Sequence, residues 1–229
     1  MSLAELSVNF FIALFALIDP VGNTPLFAAA TAGAKGAGRR LTAVYISIFA
    51  FFAMTAFFLT GLSVLRYFGI SMPAFRIAGG VLLFLTGLDM ARGELADTLG
   101  EAAEEGGDLS TRAYARRRFE RLVAPFGMPL LVGPGAISTA VIYAGDASRL
   151  GFVGLATGIA VIGAVAVTIM LSFWMTGLIT RALGRVGMIV VIRVLGLILC
   201  AMAVQFIMAG VAASTTGLVL PEASSPYGK

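Results

Sequence analysis

The chain has 229 residues, of which 59% are hydrophobic and 12% charged, whereas soluble domains carry roughly 25% charged residues. Sixteen Lys and Arg against twelve Asp and Glu leave a net charge of +4, but no basic stripe interleaves with aromatics, which excludes nucleic acid as a partner. Histidine is absent and Cys200 stands alone, so the usual ligands of metal and haem sites, the base of Ser-His catalysis and an intramolecular disulfide are all missing. No metal, no cofactor and no enzyme are expected.

In chain order, the first apolar stretch runs over 6–34 and is broken by charge only at Asp19. It predicts a helix over 5–31, long enough to cross a bilayer, for which about 20 residues suffice. Its middle reads Asp19-Pro20-Val21-Gly22-Asn23-Thr24-Pro25. Proline removes a donor and clashes with the preceding turn, and hydrocarbon offers no water to the freed carbonyls. An unwound strip facing a protein-lined cavity is the expectation, with Pro20 and Pro25 making the break and Gly22 and Asn23 lining it. An ionised Asp19 near the bilayer centre costs roughly 2.5–3.5 kcal/mol on insertion scales, so a partner must offset it. The residue reads as a ligand for an ammonium group, as a carboxylate that takes up H⁺ or Na⁺, or as a helix cap.

Uncharged windows at 41–65 and 77–88 predict helices over 40–66 and 72–92. Residues 93–121 form the one long hydrophilic connection, acidic first and basic afterwards, and Thr111–Arg121 reads as a short helix lying on an anionic membrane surface. The window 122–145 predicts a fourth helix over 119–146, broken at Gly133-Pro134-Gly135. A half-helix starting there would offer its N–H groups to an anion, with Ser138 and Thr139 adding hydroxyl donors. Windows 150–180 and 194–221 predict helices over 150–180 and 187–213, and 216–229 reads as a flexible tail.

The halves repeat. An offset of 117 residues relates Arg76 to Arg193, Gly79 to Gly196 and Gly93 to Gly210, and Val21-Gly22 precedes Val132-Gly133 by 111. The fold expected is all-α and polytopic, one membrane domain built from repeat 1 (1–92), a loop (93–121) and repeat 2 (122–215). Three helices per half force the second to enter from the opposite side, so the repeat must be inverted, with helices 1 and 4 broken near the midplane. Loops after helices one, three and five carry eleven Lys and Arg against three on the other side, which puts the long loop in the cytoplasm and both termini outside. Arg76 and Arg193 either snorkel to the interface or pair with Asp19. The N-terminus has no cationic region of the kind that opens a cleavable signal peptide.

Ile18-Asp-Pro-Val-Gly-Asn-Thr-Pro-Leu-Phe27, Pro129-Leu-Leu-Val-Gly-Pro-Gly-Ala-Ile-Ser-Thr139, Phe75-Arg-Ile-Ala-Gly-Gly80, Gly87-Leu-Asp-Met90 and Ala203-Val-Gln-Phe206 together resemble the MarC family of bacterial and archaeal inner-membrane proteins. Phe126-Gly127 departs from the Leu-Ala that the resemblance leads one to expect there. The resemblance covers about residues 5–213 and implies a six-span protein grouped with small neutral amino acid transporters. The function expected is secondary transport, in the outward direction, of small zwitterionic solutes by alternating access. Their ammonium would meet Asp19, Gly22 and Asn23, and their carboxylate Gly135, Ser138 and Thr139. Partners would be the solute, the lipid bilayer and a second copy of the chain. A non-transporting membrane scaffold or stress-response accessory protein is the alternative.

Overall fold

The computed structural model describes residues 2–32, 34–94 and 110–215, and among these the regular structure is entirely helical. In chain order the helices are α1 (Leu3–Ile18), α2 (Thr24–Ala30), α3 (Gly36–Tyr67), α4 (Met72–Arg92), α5 (Thr111–Leu122), α6 (Pro134–Arg149), α7 (Gly151–Trp174) and α8 (Thr176–Ser214). A π-wound segment, Val123–Leu131, joins α5 to α6. The expected tail and residues 95–109 of the long loop lie outside the described residues.

Among the described residues four helices are long and apolar enough to cross a bilayer: α3, α4, α7 and the Val186–Ser214 part of α8. They keep large apolar side chains on their outer surface, Phe52 and Leu197 among them, as helices bathed in lipid do. α8 begins earlier than the sequence predicts and bends at Gly184, whose left-handed backbone (φ 61°, ψ −176°) sets off a short first piece. The other two predicted spans consist of pieces. That at 5–31 is α1 and α2, of 16 and 7 residues, and that at 119–146 is the end of α5, the π-wound segment and α6. None of these pieces alone reaches the length of a bilayer. The short helix expected over 111–121 is α5.

Ring contacts show how the first pieces run. Phe10 of α1 stacks on Phe58 of α3, which fills the space beside Gly158 near the start of α7. Phe27 of α2 stacks on Phe173, at the end of α7, with ring centroids 4.3 Å apart. Gly158 and Phe173 are separated by roughly 22 Å of helix, so α1 and α2 in series follow α7 over most of a hydrocarbon thickness.

The closest packing joins α4 to α8, which run antiparallel. Gly210 faces the Pro73 carbonyl, Gly80 the Ala203 carbonyl, and Gly87 both the Gly196 carbonyl and Cys200. A β-carbon at Gly196 would lie 2.5 Å from the Ala91 nitrogen and 2.6 Å from the Gly87 oxygen, so only glycine permits this approach. Without a hydrophobic drive between helices in lipid, such close backbone contact is what holds them together. Gly196→Val is therefore expected to destabilise the fold by about 1–3 kcal/mol through forced separation. Thermal unfolding in detergent measures this, and an unchanged midpoint would contradict the packing described.

Candidate functional site

The first break is a turn that closes on itself. Asp19 ends α1 in the left-handed region (φ 42°, ψ 66°), the one non-glycine residue with positive φ among the described residues. That conformation costs of order 1–3 kcal/mol and persists where the surroundings enforce it. Here the enforcing contacts are local. The Asp19 carboxylate accepts the Gly22 N–H at 3.0 Å, and the Asp19 carbonyl accepts the Asn23 N–H at 3.0 Å. The Asn23 side-chain amide donates to the Ile18 carbonyl at 2.7 Å, and the Thr24 hydroxyl to the Pro20 carbonyl at 3.1 Å. A β-carbon on Gly22 would come within 2.0 Å of the carboxylate. Gly22 thus makes room for Asp19, and Pro25 sits in the first turn of α2. Asp19 does act as a cap, but of the helix that ends there.

Asp19 and Asn23 line a cavity of about 30 Å³. Its other walls are Leu17, Leu130 from the second break, Met90 of α4, and Leu195, Ile198, Leu199 and Met202 of α8. One carboxylate and one amide in a shell of aliphatic and thioether groups is the pattern of a site that fixes a polar ligand by few contacts. In this conformation it has room for water or a small cation. The sequence reading missed the wall from α4 and α8. Leu195, Ile198, Leu199 and Met202 have one-face helical spacing, but on a helix apolar all round that periodicity does not stand out.

The second break is built differently. The Val132 N–H bonds the Gly127 carbonyl at 2.9 Å, Met128 is extended (φ −128°, ψ 129°), and Gly133 precedes α6 with no side-chain cap. Pro134 packs against Gly79 of α4 and Gly135 against the Phe206 ring of α8. Gly135, Ser138 and Thr139 therefore do not line the cavity at Asp19, and Leu130 represents this break there. Ser138 is buried to 1% exposure and its hydroxyl has no hydrogen-bond partner, a rarity inside proteins. Among the described residues no ion pair reaches Asp19: Arg76 is half-buried in α4, and Arg193 is exposed with its guanidinium beside Gly93.

A further residue ties the first break to the rest. Arg118 of α5 is 3% exposed, and its guanidinium donates to the Ala30 carbonyl at the end of α2. Burial lowers its pKa and raises that of Tyr114, which packs over Gly38. From sequence Arg118 was one topology-setting cation among eleven, since nothing in a run of three arginines tells which one turns inward.

Residues 4–215 match the family model described as MarC family integral membrane protein. The chain belongs to this family and is an integral membrane protein. It is 34% identical over 145 residues to a UPF0056 membrane protein of Aquifex aeolicus, a match covering 63% of this chain and 64% of that one. It is 35% identical over 135 residues to the UPF0056 membrane protein YhcE of Escherichia coli, covering 59% of this chain and 60% of that one. With the UPF0056 membrane protein YvbG of Bacillus subtilis it shares 31% identity over 178 residues, 77% of this chain and 80% of the relative. The chain thus spans less than two thirds of the length of the first two. No solved structure matches it.

The self-closed turn is open to test. Asn23→Leu leaves the buried Ile18 carbonyl without its donor, for which about 1–3 kcal/mol of lost stability is expected. Gly22→Ala drives a methyl into the Asp19 carboxylate and should cost a similar amount. Chemical or thermal unfolding of both variants in detergent provides the measurement, and wild-type stability in either would refute the arrangement.

Proposed function

We propose that the protein is a secondary transporter of small zwitterionic solutes, glycine- and alanine-sized neutral amino acids foremost, working by alternating access around the Asp19 cavity. The observation that carries this reading is that residues of both helix breaks, Asp19 and Asn23 from one and Leu130 from the other, line a single cavity. Interrupted helices meeting inside a membrane domain are a recurring feature of carriers. Asp19 receives the ammonium group. The solute carboxylate goes to the start of α6, where Gly135 lies under the Phe206 ring and the buried, unpartnered Ser138 hydroxyl and Thr139 follow about one turn on. Binding therefore requires Phe206 to move off Gly135, and the small cavity corresponds to a contracted state of the cycle.

The antiparallel pairing of α4 with α8, helices related by the 117-residue offset, supports two inverted three-helix repeats and hence six spans in all. In this reading the membrane is the bacterial inner membrane, α5 and the long loop are cytoplasmic, and both termini are periplasmic. No catalytic step is assigned. The driving force is an H⁺ or Na⁺ gradient or that of the solute itself. The water-sized cavity also suits the second reading, a non-transporting scaffold.

Counterflow of radiolabelled glycine and alanine into proteoliposomes tests the proposal. Asp19→Asn keeps the left-handed turn, since asparagine tolerates that backbone, but removes the charge. A charge-assisted hydrogen bond is worth about 1.5–3 kcal/mol, so initial rates should fall by at least about tenfold. Undiminished transport by the variant would remove Asp19 from the site. Absence of counterflow for a panel of small zwitterions, without any solute-dependent thermal shift, would establish the scaffold reading instead.

A further inference from the structure

Where α5 crosses α3, Phe119 lies edge-on to Tyr45 and to Phe49, with ring centroids 6.0 Å apart in each pair. This crossing roofs a hollow of about 460 Å³ on the outer face of α3, walled by aromatic and aliphatic groups and closed at its α5 end by Arg116 and Glu120. A second hollow, of about 220 Å³ and almost wholly apolar, lies between α3 and α7. The two share Ile48 and Phe52 as lining residues. These two residues are one turn apart and are 47% and 64% exposed. They form a ridge with a trough on either side.

The ridge belongs to a helix long and apolar enough to span a bilayer, so both troughs open onto hydrocarbon. Their level is fixed by Trp174, whose indole N–H donates to the Arg40 carbonyl at 3.2 Å near the start of α3. Tryptophan is enriched at the membrane–water boundary. The charged end of the larger trough thus stands at headgroup depth, and the troughs run from there toward the bilayer interior. α5 carries Arg112, Arg116, Arg117, Arg118 and Arg121 against Glu120 alone. Arg112 and Arg116 are one turn apart and both exposed, and Arg116 is held by Glu120 through its Nε at 3.1 Å, which leaves its terminal nitrogens to another acceptor.

We propose that this is a binding site for one anionic diacyl phospholipid, of the phosphatidylglycerol kind, from the leaflet on the α5 side. One acyl chain fills each trough, the Ile48–Phe52 ridge separates them, and the phosphate lies on Arg112 and Arg116. Two troughs from one ridge match a two-chain ligand, and the net positive charge of α5 selects the sign of the headgroup. A soluble phosphate would meet the arginines without using either trough.

The test is native mass spectrometry of the full chain released from mixed micelles containing equal phosphatidylglycerol, phosphatidylethanolamine and phosphatidylcholine. The wild type is expected to retain one phosphatidylglycerol preferentially. Each surface arginine contributes enough to anionic-lipid binding that R112Q/R116Q should lower retention by at least about tenfold. R149Q, at the opposite end of the bundle, should leave it unchanged, and inorganic phosphate should not compete. Equal retention of the three lipids by the wild type, or preference for phosphatidylethanolamine, would overturn the proposal without any variant being needed. So would equal losses in R112Q/R116Q and R149Q, displacement by inorganic phosphate, or a lipid-free dimer showing that a second copy covers the ridge.

Discussion

The controlling constraint is that a backbone inside hydrocarbon has no water to fall back on. Each unsatisfied N–H or C=O at that depth costs several kcal/mol, so a helix can be broken there only if the break supplies its own partners. The turn at Asp19–Thr24 does so with side chains of its own: asparagine for the Ile18 carbonyl, threonine for that of Pro20, aspartate for the Gly22 amide. The polar residues in this stretch are therefore first of all replacements for a missing turn of helix. What they have left over is the remaining lone pairs of the Asp19 carboxylate and of the Asn23 side-chain oxygen.

From that turn the constraint propagates outward. α2 is only seven residues long and could not hold its place alone. It is fixed at its far end by Arg118 and along its side by the Phe27–Phe173 stack. The second break lies immediately after α5, so the helix that anchors α2 also leads into the π-wound segment that supplies Leu130 to the cavity. The two breaks are thereby mechanically linked through one surface helix. The remaining wall comes from α4 and α8, whose glycine contacts let the pair behave as one body.

Much of this was readable in the residues. Length and uniform apolarity located the four continuous spans, and proline with glycine located both breaks. The end of each piece was less legible. Asp-Pro suggests a helix start, and only the left-handed φ of Asp19 shows it to be a helix stop. Asn23 was read as a cavity residue because asparagine in a gap offers an amide; it does line the cavity, but one of its amide N–H donors is spent on Ile18. Gly135, Ser138 and Thr139 have the composition of an anion-binding helix start. Which way that start points depends on Gly79 and Phe206, residues 55 or more positions away in sequence, and no local pattern encodes it. The cavity walls from α8 were hidden for a different reason: lipid-facing and cavity-facing positions are both apolar, so the contrast that reveals a buried face in a soluble protein is missing.

The contrast between the two breaks bears on how they could work. The first is closed by side-chain hydrogen bonds and a strained residue, and opening it would expose several polar groups at once. The second is held across the break by main-chain bonds, Val132 to Gly127 and Ile137 to Gly133, and by ring packing over Gly135, and the buried Ser138 hydroxyl has no partner. Displacing a phenyl ring from a glycine sacrifices dispersion and leaves no hydrogen bond unmade. The motion that breaks fewer hydrogen bonds is thus on the α6 side, where the Phe206 ring can leave Gly135 while the Asp19 turn stays closed. For the transporter proposed above, a rigid carboxylate and a yielding opposite wall would let the site change access while Asp19 stays in place.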